Sequence, residues 1–241
     1  MKAIPRPSVK YGEVVCCAGV TLDRQWRRLF PVRFRMLREN KFDRWQWVSY
    51  RSRGPRADKR AESRHVYEDT ITPKHKMKES ERPDFLQPLI MPSAKEAAEN
   101  GHSLALVRPQ NVRFTWRKKD DRTLERERNE MQKAVRQGEL WDEELKAFQP
   151  TPYHFLLRFK DQNGWHNHTC GDWETVATLY RQSRKYSEDA ALQHLNKMYN
   201  QQYPDKGMAL ALGTMAKKPK IWLLLGVIRL DPPTSAGDLF L

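Results

Sequence analysis

Gly12-Glu13-Val14-Val15-Cys16-Cys17-Ala18-Gly19-Val20-Thr21, followed after Asp23-Arg24-Gln25 by Trp26-Arg27-Arg28-Leu29-Phe30-Pro31-Val32-Arg33-Phe34-Arg35, is the stretch on which the architecture turns. The first arm is a β-prone run bounded by glycine and reads as a buried strand. The second arm resumes strand-like residues after a polar break, so the two form a hairpin. In it Val32 and Phe34 alternate with Arg33 and Arg35. One face therefore packs inward and the other presents guanidinium groups, whose fork matches phosphate.

Working outward, charge is the next observation. The chain carries 44 Lys and Arg against 30 Asp and Glu, a net +14. Residues 1–82 hold 21 of the basic and 10 of the acidic residues, so +11 of that excess sits in the first third. Such asymmetry favours a polyanionic partner reached through the N-terminal part. An acidic membrane surface is the weaker reading, because no basic amphipathic helix accompanies it.

The pattern Gly-Glu-x-x-Cys-x-Ala-Gly, a polar turn, then Trp-x-Arg-Leu-x-Pro-Val resembles the opening of the dual OB-containing domains of bacterial genomes, over residues 12–35. Where that family has Trp-Ile-Arg, this chain has Trp26-Arg27-Arg28, an arginine at a position expected to be apolar. The resemblance implies an oligonucleotide-binding type of barrel and a binding role. It also implies a setting beside mobile-element or phage-defence genes.

Beyond the hairpin, residues 36–42 suit a helical turn, and Trp45-Gln46-Trp47-Val48-Ser49-Tyr50 alternates as a strand that puts Trp45 and Trp47 on one face. Residues 51–64 read as a flexible basic loop, 65–71 as a further strand and 74–88 as a boundary, giving modules at 1–82 and 83–241. In the second module Ser93 and Glu96 have capping-box spacing, and residues 104–107 and 112–116 read as strands. Residues 120–147 predict a charged, exposed helix with Leu124, Met131 and Val135 on its apolar side. Asp161-Gln162-Asn163-Gly164 predicts a hairpin turn, Asp172 and Ser187 open helices, and 208–213 and 221–228 read as the most buried strands. The fold class is therefore α+β: a β-rich, OB-like N-terminal module followed by a mixed α/β C-terminal module.

Two groups of residues carry possible chemistry. Between residues 24 and 64, fourteen Lys and Arg stand against four Asp and Glu, interleaved with aromatic residues. Arg24, Arg27, Arg28, Arg33, Arg35, Arg51, Arg53, Arg56, Lys59 and Arg60 are the candidate phosphate contacts, and Trp45 and Trp47 the candidate stacking platforms. Burial of the tryptophan pair is the expectation, with guanidinium groups making the contacts. The second group is His166, His168 and Cys170, whose spacing of two would set three zinc ligands on one strand face, with Asp172 or Glu174 to complete a site. The plainer reading makes the histidines polar turn residues and packs Cys170 near a helix start.

Three cysteines, two of them adjacent, supply neither a secreted disulfide framework nor a C-x-x-C zinc pair, and residues 1–9 lack a signal peptide's apolar core. A cytoplasmic location is expected. No phosphate-cradling glycine loop, nucleophile elbow or Cys-His pair in a recognised spacing is present. A nucleic-acid-binding accessory subunit, DNA first, working with an enzymatic protein partner in a defence or mobile-element system, is the leading expectation, with no cofactor beyond a possible zinc. A metal-dependent nuclease built on residues 166–174 and a scaffold for an acidic protein are the alternatives.

Overall fold

Gly12, at φ 72°, lets the chain turn sharply into a long strand, and the antiparallel meander that results opens the molecule. A computed structural model describes residues 1–34, 36–39, 42–56, 58–138 and 148–230. β1 (Arg6–Ser8), β2 (Gly12–Val20) and β3 (Trp26–Arg33) pair antiparallel in sequence. The predicted turn is closed by Thr21, whose Oγ1 accepts from the Gln25 amide at 2.9 Å, with Arg24 in the left-handed region at φ 59°. After α1 (Met36–Glu39) come β4 (Gln46–Arg53) and β5 (Ser63–Lys76). The sheet order is β1-β2-β3-β5-β4, with β5 parallel to β3 and antiparallel to β4. This is a five-stranded sheet in which β1 and β4 remain edges, so no closed barrel forms among the described residues.

The loop expected over 51–64 is shorter than its polarity suggested. Arg51 pairs with Tyr67 and Arg53 with His65, which carries the ladder well beyond the predicted strand ends. Solvent-facing side chains on an edge strand leave the backbone pairing intact, so polar residues there do not mark a loop.

The rest of the chain contributes α2 (Arg82–Leu86), β6 (Ile90–Met91), α3 (Ala94–Glu99), β7 (Leu104–Val107), β8 (Gln110–Lys118), α4 (Asp121–Gly138), β9 (Tyr153–Asp161) and β10 (Gly164–Thr169). It ends with α5 (Trp173–Lys185), α6 (Glu188–Lys197), α7 (Tyr203–Asp205), β11 (Met208–Met215) and β12 (Lys218–Arg229). Ser93, Asp172 and Ser187 each accept an amide hydrogen bond as N-caps of α3, α5 and α6. The predicted charged helix is present as α4, which packs on β1 and β2; Leu124 and Met131 are buried as expected, with Ala134 rather than the half-buried Val135 beside them, and residues 139–147 lie outside the described residues. The C-terminal strands form two sheets, β10-β9-β8 and β12-β11-β7-β6.

β11 is the middle of the molecule, and its alternation explains how. Met208, Leu210 and Leu212 point into a core with Phe114, Phe155, Leu157 and helices α5 and α6. Ala209 and Ala211 point the other way, into a core with Ala18 and Trp26 of the first sheet and Ile228. A strand buried on both faces reads as a continuous apolar run, as this one does. The N-terminal and C-terminal parts thus share a core. They are also joined by Arg44, whose Nη2 donates to both carboxylate oxygens of the fully buried Asp172 at 2.9 and 2.8 Å, while its Nη1 donates to the Val227 carbonyl at 2.6 Å.

Candidate nucleic-acid interface

Strand pairing spreads the predicted cations over two environments. Arg51 and Arg53, two residues apart on β4, share an exposed face, and Arg56 and Lys59 in the following loop are exposed as well. Arg53 and Lys10 lie close enough to His65 to act on it: burial first, then these two charges, hold the imidazole below its ordinary pKa. Arg24 is exposed at the hairpin turn, where its Nε donates to the Phe85 carbonyl at 3.3 Å and its guanidinium lies over the Phe85 ring at 5.7 Å.

Three of the predicted contacts are engaged with partners in the protein itself. Arg28 is 3% exposed, with Nη1 donating to Ser103 Oγ at 3.0 Å and Nη2 to the Ser103 carbonyl at 3.0 Å. Glu62 completes this network by accepting from the Ser103 amide and hydroxyl, both at 2.7 Å. Gly213 leaves the space: a Cβ there would stand 3.3 Å from the Arg28 guanidinium and closer still to Leu104 and Leu225. Arg33 is ion-paired with Glu68, and Arg60 with Asp58. Burial works against the Asp58 charge, but hydrogen bonds from Arg60 and Ser63 outweigh it and hold the carboxyl down at about 2. The partners of Arg28 and Arg33 come from distant sequence, which a basic run cannot reveal, whereas Asp58 stands two residues before Arg60. Arg35 lies outside the described residues.

The expected burial of Trp45 and Trp47 is corrected: both are half-buried. Trp45 precedes β4 with φ 67°, so strand alternation does not relate it to Trp47, yet both rings line one cavity of about 340 Å³. That volume is at the lower end of the range of small-molecule sites, roughly 300–1,000 Å³. Trp26, Phe42, Tyr50 and Phe85 complete its aromatic walls, and Trp47 meets Phe85 edge-on with ring centroids 5.5 Å apart. Arginines surround it. Arg27 lines it, and both Arg27 and Arg64 act on the Tyr50 phenol, whose pKa burial raises and whose phenolate these charges favour. At the other end Arg82 lies over Trp45 at 4.9 Å.

Trp45 and Arg44 also line a second recess of about 180 Å³, together with Arg82, Arg229, Tyr203 and Glu79. Burial alone would lower the Arg44 pKa, but the Asp172 carboxylate overcomes this and holds it above the ordinary guanidinium value. The Nε atoms of Arg44 and Arg82 are buried without a hydrogen-bond partner. A buried donor left unpaired costs about 1–3 kcal/mol.

The zinc arrangement is not assembled. His166 and His168 do share a strand face, but they stack on each other at 6.1 Å and on Phe159 at 5.2 and 5.6 Å, and His166 Nε2 is 2.7 Å from Asp161 Oδ1. Cys170 lies in the core with Sγ 3.4 Å from Thr175 Oγ1, and burial pushes its thiol up to about 12. Asp172, one of the two residues expected to complete the site, is taken by Arg44, the Glu174 amide and the Val227 amide. Among the described residues no group of three His, Cys, Asp or Glu is placed to hold a metal ion. Spacing along a strand gave one shared face for the two histidines, but Cys170 lies just past the end of β10 and enters the core.

Residues that sequence reasoning missed are Arg44, Arg64, Arg82, Arg229 and Phe85. Arg44 and Arg82 had one usable trait, each being a basic residue near the tryptophan strand or its connection; Arg229 had none. Among the described residues no helix is long and apolar enough to cross a membrane. No curated protein and no solved structure matches the chain. Residues 1–89 match a domain of unknown function (DUF8758). Residues 90–241, more than half of the chain, match a second domain of unknown function (DUF8757), and the chain belongs to that family.

Proposed function

We propose that this chain binds nucleic acid, DNA in the first instance, with a strand's backbone on the exposed cations of β4 and the β4–β5 loop and its unpaired bases in the aromatic cavity. The observation that carries the reading is the cavity itself, walled by Trp26, Phe42, Trp45, Trp47, Tyr50 and Phe85 and bordered by Arg24, Arg27, Arg64 and Arg82. Aromatic platforms inside a cationic rim are what single strands require, because every base has a face to stack and every nucleotide a phosphate. A duplex keeps its bases stacked and gains only the charge. An accessory role beside an enzymatic partner, in a defence or mobile-element system, rests on the resemblance of residues 12–35 alone.

Fluorescence anisotropy against single- and double-stranded DNA and RNA, repeated across salt, tests this. Single strands are expected to bind more tightly than duplex of equal length, with affinity falling steeply as salt rises. Binding that ignores salt, or no binding to any of the four, overturns the proposal.

A further inference from the structure

The recess and the aromatic cavity have two wall residues in common, Arg44 and Trp45, so a ligand in one lies within a single nucleotide's reach of the other. We infer that the recess lined by Arg44, Arg82 and Arg229 receives a phosphate monoester, and that the aromatic cavity beside it holds the base of the same nucleotide. The chemistry rests on this geometry; that the nucleotide is the end of a strand rests on the function proposed above, and a free nucleotide is the other source.

Three arginines line one small recess, and the commitments of two of them are defined. Arg44 commits its Nη atoms to Asp172 and Val227, and Arg82 directs Nη1 to Glu79 at 3.2 Å and Nη2 to the Met77 carbonyl at 3.4 Å. The Nε of each is buried and has no hydrogen-bond partner within the protein. Tyr203 adds a hydroxyl that burial, foremost, keeps protonated. Glu79, whose side chain is 72% exposed, is the acid a phosphate would displace from Arg82 at little cost. A monoester brings a charge of about −1.5 to −2 near neutral pH, twice that of a chain-internal diester, with three acceptor oxygens to spread over the donors.

The test uses the full chain and one single-stranded oligonucleotide with a 5′ phosphate, with a 3′ phosphate, or with hydroxyls at both ends, alongside a nucleoside monophosphate by calorimetry. One of the terminal phosphates is expected to tighten binding about tenfold or more. Arg229→Gln should abolish that gain while the hydroxyl-ended strand keeps its affinity and salt dependence; Arg82→Gln should abolish it too but also weaken the hydroxyl-ended strand, because Arg82 borders the aromatic cavity; thermal melts check that each variant is folded. Arg44 is left intact because it holds Asp172. If hydroxyl-ended strands bind in a salt-dependent way and neither phosphate adds anything, the recess assignment fails and the nucleic-acid proposal stands. If strands do not bind but the monophosphate does, and Arg82→Gln removes it, the recess assignment stands and the strand proposal fails. A gain that survives the Arg82→Gln, Arg229→Gln double variant also overturns it.

Discussion

Replacing Arg28 by Met is expected to destabilise the protein by about 3 kcal/mol or more, since it strands Glu62 in the interior without the charge that faces it. Urea denaturation measures this, and the variant's salt dependence of DNA binding should match the wild type's. The same guanidinium at Arg51 faces water, and the difference lies in Ser103 and Gly213, residues the chain supplies only after many turns. That is why a run of arginines was legible as charge but not as contacts. Trp47 is the complementary case. Half-buried against Phe85, it should cost only roughly 1–2 kcal/mol of stability as Trp47→Ala, because part of its surface is already in water. Its loss should weaken single-strand binding by roughly 1–3 kcal/mol for each base it stacks. A Trp47→Ala protein that binds single strands normally would remove that ring from the interface.

At the scale of elements, periodicity read the hairpin of β2 and β3, the β9–β10 turn and the caps of α3, α5 and α6, because each depends on neighbours within a few residues. The length of β5 escaped, since its ends are set by pairing with β4 and not by its own composition. The same pairing makes β4 and its loop a unit that can be stripped of charge without unfolding. Arg51→Ser, Arg53→Ser and Arg56→Ser together should leave the melting temperature nearly unchanged. They should flatten the log-log salt slope by roughly 0.7 for each phosphate no longer neutralised on single strands, or roughly 0.9 on duplex. In the same loop Asp58 ties down Arg60 and Ser63. Its carboxyl titrates at about 2 when folded against 3.8 ordinarily, so the stability it contributes is complete above about pH 4 and disappears as pH falls to about 2. The stability gap between wild type and Asp58→Asn should therefore be constant above about pH 4 and close below it, as pH-dependent urea midpoints would report.

Across the whole molecule, the Arg44 and Asp172 pair joins parts of the chain that two separate families describe, and it does so beside the proposed phosphate recess. Asp172 caps α5 through the Glu174 amide, accepts from the Val227 amide of β12 and receives both hydrogen bonds of Arg44 Nη2. One carboxylate thus fixes a helix start, a strand of the central sheet and the connection that leads into Trp45. Asp172→Asn keeps the shape but removes the charge, leaving a buried guanidinium without its counterion, and is expected to cost about 3–5 kcal/mol. Because Ala18 and Trp26 share a core with Ala209 and Ile228, the loss should not be confined to one part. Tryptophan fluorescence and far-ultraviolet circular dichroism should follow one coincident urea transition in the wild type, and the same single transition at lower urea in the variant. Two separated transitions in Asp172→Asn would mean that the ion pair, and not the shared core, couples the two parts; an unchanged midpoint would mean that the Arg44 guanidinium loses nothing when its counterion is removed, which a charge held in the interior could not do.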